Sequence, residues 1–290
     1  MTSQPYQVCA RALAVVLVCF AVASTASASP RVDAASISIG STHSCGLTTD
    51  GIVACWGSNE YDQSRAPSGK FEEISVNGSH SCGIRLGGAV ACWGYNAFGE
   101  SRAPDGAFSD ISAGGLFTCG VRTDDTIVCW GSNKYRQLDA PAGKFRQVAA
   151  GDGHACGLRT DRTVACWGRD DHGQVDSPKG TFTEISAGTA HTCGIRTDGT
   201  VDCWGHEAYG QSSPPAGTFI GVSAGGVKTC GTRSDHTLAC WGTNSAGQSD
   251  APEGKFIQVS SAAGGACAIR YDRSVACWGI VDPPTGVFRT

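Results

Sequence analysis

Short stretches of alternating apolar and polar residues recur along the chain, separated by glycine-containing turns. In the copy from Phe182 to Phe219, the segments F-T-E-I-S-A, H-T-C-G-I-R and T-V-D-C-W-G are each too short for an ordinary helix. Alternating segments bounded by turn residues predict β-strands, three in each copy. The apolar position of the first strand is Ile or Val in all seven copies, at Ile37, Ile74, Ile111, Val148, Ile185, Val222 and Val259. The chain is therefore predicted to be all-β.

Each copy also contains a Cys-Trp-Gly triplet, and the triplets follow one another at a constant interval of 37 residues. A fixed interval of this length indicates one structural unit copied in tandem. Short sheets that cannot bury both faces alone close radially, so the seven copies predict a seven-bladed β-propeller in one domain, residues 29–290. The final residues, 285–290, match the approach to the first strand, which predicts that the chain ends meet and close the ring. The triplets hold every tryptophan, predicted to be core residues: Trp56, Trp93, Trp130, Trp167, Trp204, Trp241 and Trp278.

The turn between the second and third strands fixes their register. Thr197-Asp198-Gly199 is typical of a three-residue hairpin loop with a glycine bulge. Centring the loop on Asp198 places Cys193 directly opposite Cys203. Directly opposed residues have β-carbons about 4.5–5.5 Å apart, which is near enough for a disulfide after slight adjustment. The same register holds in every copy and predicts one disulfide per blade.

The amino terminus has the features of a cleaved secretory signal. Arg11 precedes an apolar run over residues 12–23, and Ala26-Ser27-Ala28 follows as an A-x-A cleavage site. We expect cleavage after Ala28, with residues 1–28 as the signal peptide. An uncleaved anchor is the alternative, but the run is short and no second long apolar stretch follows. The mature protein is expected to be secreted or periplasmic, with no membrane insertion.

Cleavage at this point would also remove Cys9 and Cys19 and leave two cysteines in each copy. Free core cysteines and pairing between blades are the alternatives to a disulfide in each hairpin. The chain has no C-x-x-C motif, so a metal site is not predicted, and no cofactor is expected. An even number of regularly spaced cysteines in an exported chain favours disulfides. The predicted pairs are Cys45 with Cys55, Cys82 with Cys92, Cys119 with Cys129, Cys156 with Cys166, Cys193 with Cys203, Cys230 with Cys240 and Cys267 with Cys277.

The consensus I-S-A-G-x-x-H-T-C-G-I-R-T-D-G-T-V-x-C-W-G-x-N-x-x-G-Q-x-x-x-P resembles the regulator of chromosome condensation repeat. Within that superfamily the short period and the G-Q-x-x-x-P ending are most similar to the propeller-shaped β-lactamase inhibitor protein II. The cysteine pair resembles the ectodomain repeats of crinkly-type plant receptor kinases. The resemblance implies a seven-bladed propeller that binds other proteins without catalysis. It does not imply β-lactamase inhibition, because the strand 1–2 loops here carry mainly Gly, Ser, Thr and Ala instead of aromatic residues.

One face of the predicted propeller collects the strand 1–2 loops and the loops after the third strand. Aromatic residues on regularly spaced, rigidly held loops are suited to recognition of a protein or glycan surface. The alternative is structural: the aromatic residues cover gaps between blades, and the histidines bond to backbone at strand ends. The candidate partner-binding residues are Tyr61, Phe98, Tyr135, His172 and Tyr209 from the later loops, and His43, His80, Phe117, His154 and His191 from the H-x-C position.

These features favour a secreted, non-enzymatic binding protein that uses this face for protein recognition, and we expect a monomer. The formal net charge of −4 and the lack of a basic cluster argue against nucleic acid as a partner. A glycan-binding lectin is the alternative. A hydrolase or lyase with its site in the central channel is a weaker one, since the chain has no G-x-S-x-G, P-loop or H-E-x-x-H motif.

Overall fold

A computed structural model describes residues 33–281 together with Pro284, Phe288 and Thr290. These residues form seven antiparallel sheets of three strands each, with strand order equal to chain order, so the all-β propeller prediction is confirmed. The blades are β1 (Ala34–Ile39), β2 (His43–Thr48) and β3 (Val53–Gly57); β4 (Phe71–Asn77), β5 (His80–Arg85) and β6 (Val90–Gly94); β7 (Phe108–Ala113), β8 (Phe117–Arg122) and β9 (Ile127–Gly131); β10 (Phe145–Ala150), β11 (His154–Arg159) and β12 (Val164–Gly168); β13 (Phe182–Ala187), β14 (His191–Arg196) and β15 (Val201–Gly205); β16 (Phe219–Ala224), β17 (Lys228–Arg233) and β18 (Leu238–Gly242); and β19 (Phe256–Ser261), β20 (Gly265–Arg270) and β21 (Val275–Gly279).

The predicted signal peptide, residues 1–28, lies outside the described residues. Over the part of the chain that the structure covers, no helix is long and apolar enough to cross a membrane.

The hairpin between the second and third strands has the predicted register. In the fifth blade Ile195 faces Val201 and Cys193 faces Cys203. Gly199 supplies the positive φ of 86° that closes the turn, a conformation that glycine adopts without a steric penalty. The corresponding cysteines are opposed in all seven blades.

Within the described residues the seven predicted disulfides all form, one in each blade, with Cα–Cα distances of 4.0 Å. The cysteine of each middle strand is completely buried. The bond therefore links the middle and outer strands of a blade from inside the packed layer. Alternative pairing between blades is excluded by this geometry.

The tryptophans join each blade to the one before it. In the fifth blade the Trp204 ring packs against Phe182 at a centroid distance of 6.1 Å. Its indole Nε1–H donates to the carbonyl oxygen of Gln174 in the loop of the fourth blade, at 3.0 Å. The same donation recurs from Trp93, Trp130, Trp167 and Trp241. The prediction that the tryptophans form the core is confirmed for these five, which are buried and whose indole nitrogen also fixes the preceding loop. Trp56 and Trp278 are partly buried against the core.

Phe288 closes the ring. Six blades begin with a buried phenylalanine, but the first blade has Ala34 at that position. Phe288 occupies the vacant place, where it is fully buried in the cluster that contains Ala34 and Ile37. Its ring lies 6.1 Å from that of Trp56 and meets it edge-on, as Phe71 meets Trp93. Phe288, close to the carboxyl terminus, therefore packs into the first blade as the ring-closure prediction requires.

The inner strands β1, β4, β7, β10, β13, β16 and β19 surround a central channel. Serine, acidic and glutamine side chains of the preceding blade accept hydrogen bonds from backbone N–H groups along most of these free edges. Ser75 accepts a hydrogen bond from the backbone N–H of Ala113 at 2.9 Å, and Ser260 accepts one from Ile39 at 3.0 Å across the closing junction. Because these bonds pair strand edges that would otherwise be open, the blades are joined by polar as well as apolar contacts.

Candidate binding face

The loop that follows the third strand is held in one conformation by its own polar residues. In the first blade the buried amide of Gln63 accepts a hydrogen bond from the backbone N–H of Tyr61 at 2.8 Å. The Asn59 carboxamide oxygen accepts one from Ser64 at 3.0 Å. These are the residues of the N-x-x-G-Q stretch, and equivalent bonds occur in the loops of the second to sixth blades. The side chains of this motif therefore fix the backbone conformation of the loop.

Each of the first five loops presents an exposed ring at the same position. Their exposed fractions include 36% for Tyr135 and 57% for Tyr209. We call Tyr61, Phe98, Tyr135, His172 and Tyr209 together the aromatic arc. The sixth blade has Ala246 at this position, and the seventh lacks the loop, so the arc spans five consecutive blades.

Members of the arc also pack sideways against the next blade. Tyr61 meets Tyr95 edge-on at a centroid distance of 4.9 Å, and His172 meets His206 at 4.6 Å. The Arg169 guanidinium lies over the Tyr135 ring at 5.2 Å. These contacts restrict the rings while leaving one side of each in solvent. The structural alternative, in which the rings cover gaps between blades, is thus partly realised at three junctions.

The residues at the H-x-C position are not on this surface, which corrects the prediction that they contact a partner. All five side chains are buried at blade junctions: His43, His80, Phe117, His154 and His191. Each histidine Nε2 lies within 2.6–2.8 Å of a hydroxyl on the middle strand of the next blade, at Ser81, Thr118, Thr192 and Thr229. Each histidine is the first residue of its middle strand, and its ring lies in the interface with the next blade instead of in the loop above it.

Burial determines the charge of these histidines. It lowers the pKa of His154 to about 3, and the pKa of His43, His80 and His191 to about 4. The rings are consequently neutral near pH 7, which lets one nitrogen share a hydrogen bond with the facing hydroxyl. In the third blade the pair is apolar instead, because Phe117 lies in one cluster with Ala155 of the fourth blade.

Lys228 takes the histidine position in the sixth blade and was not singled out from the sequence. Its side chain is fully buried, and Nζ donates to the Ser261 hydroxyl at 2.7 Å. Burial lowers the pKa of this amine to about 7. The facing residue of the seventh blade is Ala266, which has no hydroxyl, so the longer lysine reaches the inner strand instead. The departure from histidine at a regular repeat position is the signal that could have identified it.

The fold and the blade contacts define a seven-bladed propeller whose blades are joined by side-chain hydrogen bonds and closed by the carboxyl-terminal segment. The Regulator of chromosome condensation (RCC1) repeat matches residues 34–63, 71–100, 108–137, 145–174 and 182–211, more than half of the chain. The chain therefore belongs to the RCC1-repeat family.

Solved structures of similar proteins agree with this assignment. The CRINKLY WD40 ectodomain of the Arabidopsis thaliana receptor kinase ACR4 is 27% identical, with a TM-score of 0.73 over 88% of this chain and 98% of that one. The entire ectodomain of the Physcomitrella patens receptor kinase CR4 is 25% identical, with a TM-score of 0.73 over 88% of this chain and 77% of that one. Prp20p from Saccharomyces cerevisiae is 16% identical, with a TM-score of 0.52 over 84% and 71%, a likeness of fold alone. No curated protein matches the chain.

Proposed function

We propose that the protein is an exported, non-enzymatic binding protein whose aromatic arc recognises the surface of another protein. The observation that carries the proposal is the repeated exposure of a ring at one loop position in five consecutive blades. Exposed aromatic residues presented together on one face of a protein are typical of interaction surfaces. Single exposed rings scattered over a surface would not support the same conclusion.

The fixed loop conformation favours affinity. Binding costs free energy when loops and side chains must be ordered, and here the loop backbone is already ordered by Gln63, Asn59 and their equivalents. Tyrosine adds a large contact area with few rotatable bonds. Charged side chains of both signs, among them Glu60, Lys134, Asp170 and Glu207, are exposed around the arc and could provide a polar rim.

The loop asparagines favour a protein over a glycan partner. Sugar recognition commonly needs free carboxamides or carboxylates beside a ring, but the carboxamide oxygens of Asn59, Asn96, Asn133 and Asn244 are engaged within their own loops. Asn133 and Asn244 also donate to Asp139 and Asp250 at the loop ends. A sugar hydroxyl would have to share these carboxamide oxygens with the loop backbone.

The relatives support the same reading. Two similar structures are ectodomains of receptor kinases, and Prp20p has binding properties towards Gsp1p and histones. The seven disulfides suit an oxidising, extracellular compartment. A signal peptide at residues 1–28 would direct the chain there.

The test compares two faces of the same propeller. The variant Tyr135→Ala with Tyr209→Ala removes two members of the arc, and Leu86→Ala with Tyr271→Ala removes two comparably exposed side chains from the hairpin turns between second and third strands, on the opposite face. Each purified, disulfide-bonded protein is immobilised and exposed to the extracellular fraction of its source organism. Retained proteins are identified by quantitative mass spectrometry, and the affinity of a retained protein is then measured with purified components.

Truncating two hot-spot rings at about 2 kcal/mol each lowers affinity by at least about 100-fold. We expect this loss only in the arc variant, with the melting temperatures of all three proteins nearly equal. Equal retention by the arc variant and the wild type would contradict the proposal. Binding on a glycan array that depends on the arc would assign the face to a lectin instead.

A further inference from the structure

The central channel contains negative side chains with no positive partner. The channel encloses a cavity of about 420 Å³, bordered by residues of all seven inner strands. Glu73, Asp110 and Glu184 border it, and no lysine, arginine or histidine does so among the described residues. Asp152 lies at the mouth on the side of the strand 1–2 loops. The ionisable side chains that border the channel are therefore all acidic.

The three carboxyl groups are only partly used by the fold. Glu73 accepts a hydrogen bond from the backbone N–H of Ile111 at 3.3 Å, and Asp110 accepts one from Val148 at 2.7 Å. Glu184 accepts one from Val222 at 3.0 Å. Among the described residues, no hydrogen bond reaches the second oxygen of any of the three. One oxygen of each group thus remains available in the cavity.

Burial makes these carboxyl groups receptive to a cation. It raises the pKa of Glu184 to about 7, and it also raises the pKa values of Glu73 and Asp110. The proximity of Asp110 raises the pKa of Glu73 further. Without a bound cation, protons compensate the negative charge near neutral pH, and a cationic ligand would replace them.

The sixth blade breaks the pattern of the channel wall beside Glu184. Gly221 stands where the other blades have Ser36, Glu73, Asp110, Gln147, Glu184 and Gln258. Its partner in the sheet, Thr232, stands where the others have Leu47, Ile84, Val121, Leu158, Ile195 and Ile269. Because Gly221 has no side chain, the wall has a recess at this point that is open to Thr232, which borders the cavity whereas the equivalent residues of the other six blades do not.

The recess contains a polar group that lacks a partner. Thr232 is 1% exposed and borders the cavity, and its hydroxyl makes no hydrogen bond within the described part of the chain. A buried hydroxyl without a partner costs about 1–3 kcal/mol, so such groups usually have a ligand or an ordered water. The side chain is aimed into the same cavity as Glu184 and is an independent indication of a bound molecule.

We propose that the channel binds a linear aliphatic diamine. One ammonium group is held by Glu73 and Asp110 in the second and third blades, and the other by Glu184 with the Thr232 hydroxyl in the fifth and sixth. These two pairs lie on opposite sides of a seven-membered ring, which favours a ligand charged at both ends. Most isoleucine and valine side chains of the inner strands are buried between the blades, so the methylene chain would cross a channel bordered mainly by backbone and serine side chains.

A diamine fits better than a bare metal ion. Among the described residues, no group of three or more His, Cys, Asp or Glu side chains is close enough to hold a metal. An ammonium group has three donors and needs acceptors but no fixed coordination shell. The cavity volume lies near the lower end of the range of about 300–1,000 Å³ for small-molecule sites.

The direct test is isothermal titration calorimetry on the disulfide-bonded protein with butane-1,4-diamine. Butylamine and butane-1,4-diol are matched ligands with one and no cationic ends. We expect one diamine per chain, at least about tenfold weaker binding of butylamine, and no binding of the diol. Proton release, measured in two buffers of different ionisation enthalpy, should accompany binding near pH 7, and affinity should fall as the pH is lowered from 8 to 6.

Variants locate the site. Glu184→Gln is expected to lower diamine affinity about tenfold or more, and Gly221→Gln, which restores the residue type of the fourth and seventh blades, should fill the recess and do the same. Glu72→Gln is the matched control, since it removes the same charge from an exposed position that does not border the cavity. Circular dichroism and melting temperatures establish that each variant is folded.

The proposal is overturned if the diol binds as well as the diamine, or if the wild type shows no heat of binding and no thermal shift at about 10 mM diamine. It is also overturned if Glu184→Gln and Gly221→Gln bind like the wild type, or if calcium ions bind at the same site more tightly. None of these measurements depends on the aromatic arc, so the channel site and the proposed function can fail separately.

Discussion

Ring closure by Phe288 makes a quantitative prediction. Replacing Phe288 with alanine removes a fully buried ring that contacts Trp56 and lies against Gly46. Truncations of buried phenylalanine cost about 3–5 kcal/mol, and a protein of this size loses about 2–4 °C in melting temperature for each kcal/mol. We expect Phe288→Ala to lower the melting temperature by roughly 6–20 °C. Differential scanning calorimetry and tryptophan fluorescence in guanidinium, with disulfides intact, measure the change.

A second substitution tests the contact itself. A β-carbon at Gly46 would lie 2.5 Å from Cζ of Phe288, so Gly46→Ala alone should cost about 1–3 kcal/mol through overcrowding. In the Phe288→Ala background the added methyl enters the vacated space. The double variant should therefore be more stable than the sum of the single effects implies, by about 1–2 kcal/mol.

The chain contains a matched control for this cycle. A β-carbon at Gly120 would meet Cδ1 of Phe108 at 2.7 Å, within one blade and without involvement of the chain ends. Gly120→Ala and Phe108→Ala should show the same coupling. A melting temperature of Phe288→Ala within about 1 °C of the wild type would refute the closing role. If the stability losses of Gly46→Ala and Phe288→Ala simply add, while those of Gly120→Ala and Phe108→Ala are coupled, Phe288 does not pack against Gly46 in the first blade.

Two further predictions concern buried ionisable groups. The variant His154→Phe with Thr192→Ala copies the apolar pair of the preceding junction, Phe117 and Ala155. In the wild type the unfolded state binds a proton on His154 below about pH 6.5, whereas the folded state resists that proton down to about pH 3. This histidine therefore lowers the free energy of unfolding as the pH falls. The free energy of unfolding of the variant should accordingly fall about 3 kcal/mol less than that of the wild type between pH 7 and 4, measured by guanidinium titration, and equal slopes would contradict the neutral-histidine assignment. Lys228 has a folded-state pKa of about 7, below its ordinary value of 10.5, because burial disfavours the charged amine. As the pH falls toward 7 the unfolded state takes up a proton that the folded state resists, so the free energy of unfolding decreases. Lys228→Met should flatten the rise in stability from pH 7 to 9, whereas an unchanged slope would mean that the buried amine remains charged.

Much of the candidate face could be predicted from the sequence, and one part could not. The five members of the aromatic arc follow their tryptophans at a fixed distance, and a loop position is enough to place such residues near solvent. The histidines at the H-x-C position also sit near loops in the sequence, yet they are buried because their rings turn toward the next blade. Their partner hydroxyls are 38 residues away in the chain, and local sequence does not reveal which of two neighbouring surfaces a strand-end side chain will contact.

The sequence by itself determined the strands, the number of blades and the cysteine pairs, because each depends on residues within one copy. The Cys193 and Cys203 register, for example, follows from a three-residue turn. Only the tertiary structure decided what forms between copies. Lys228 and the unpaired Thr232 hydroxyl occur where one copy departs from the others, and a neighbouring blade either supplies a new partner, as Ser261 does for Lys228, or supplies none. Such compensation depends on side chains brought together by ring closure, and no pattern within a single repeat encodes it.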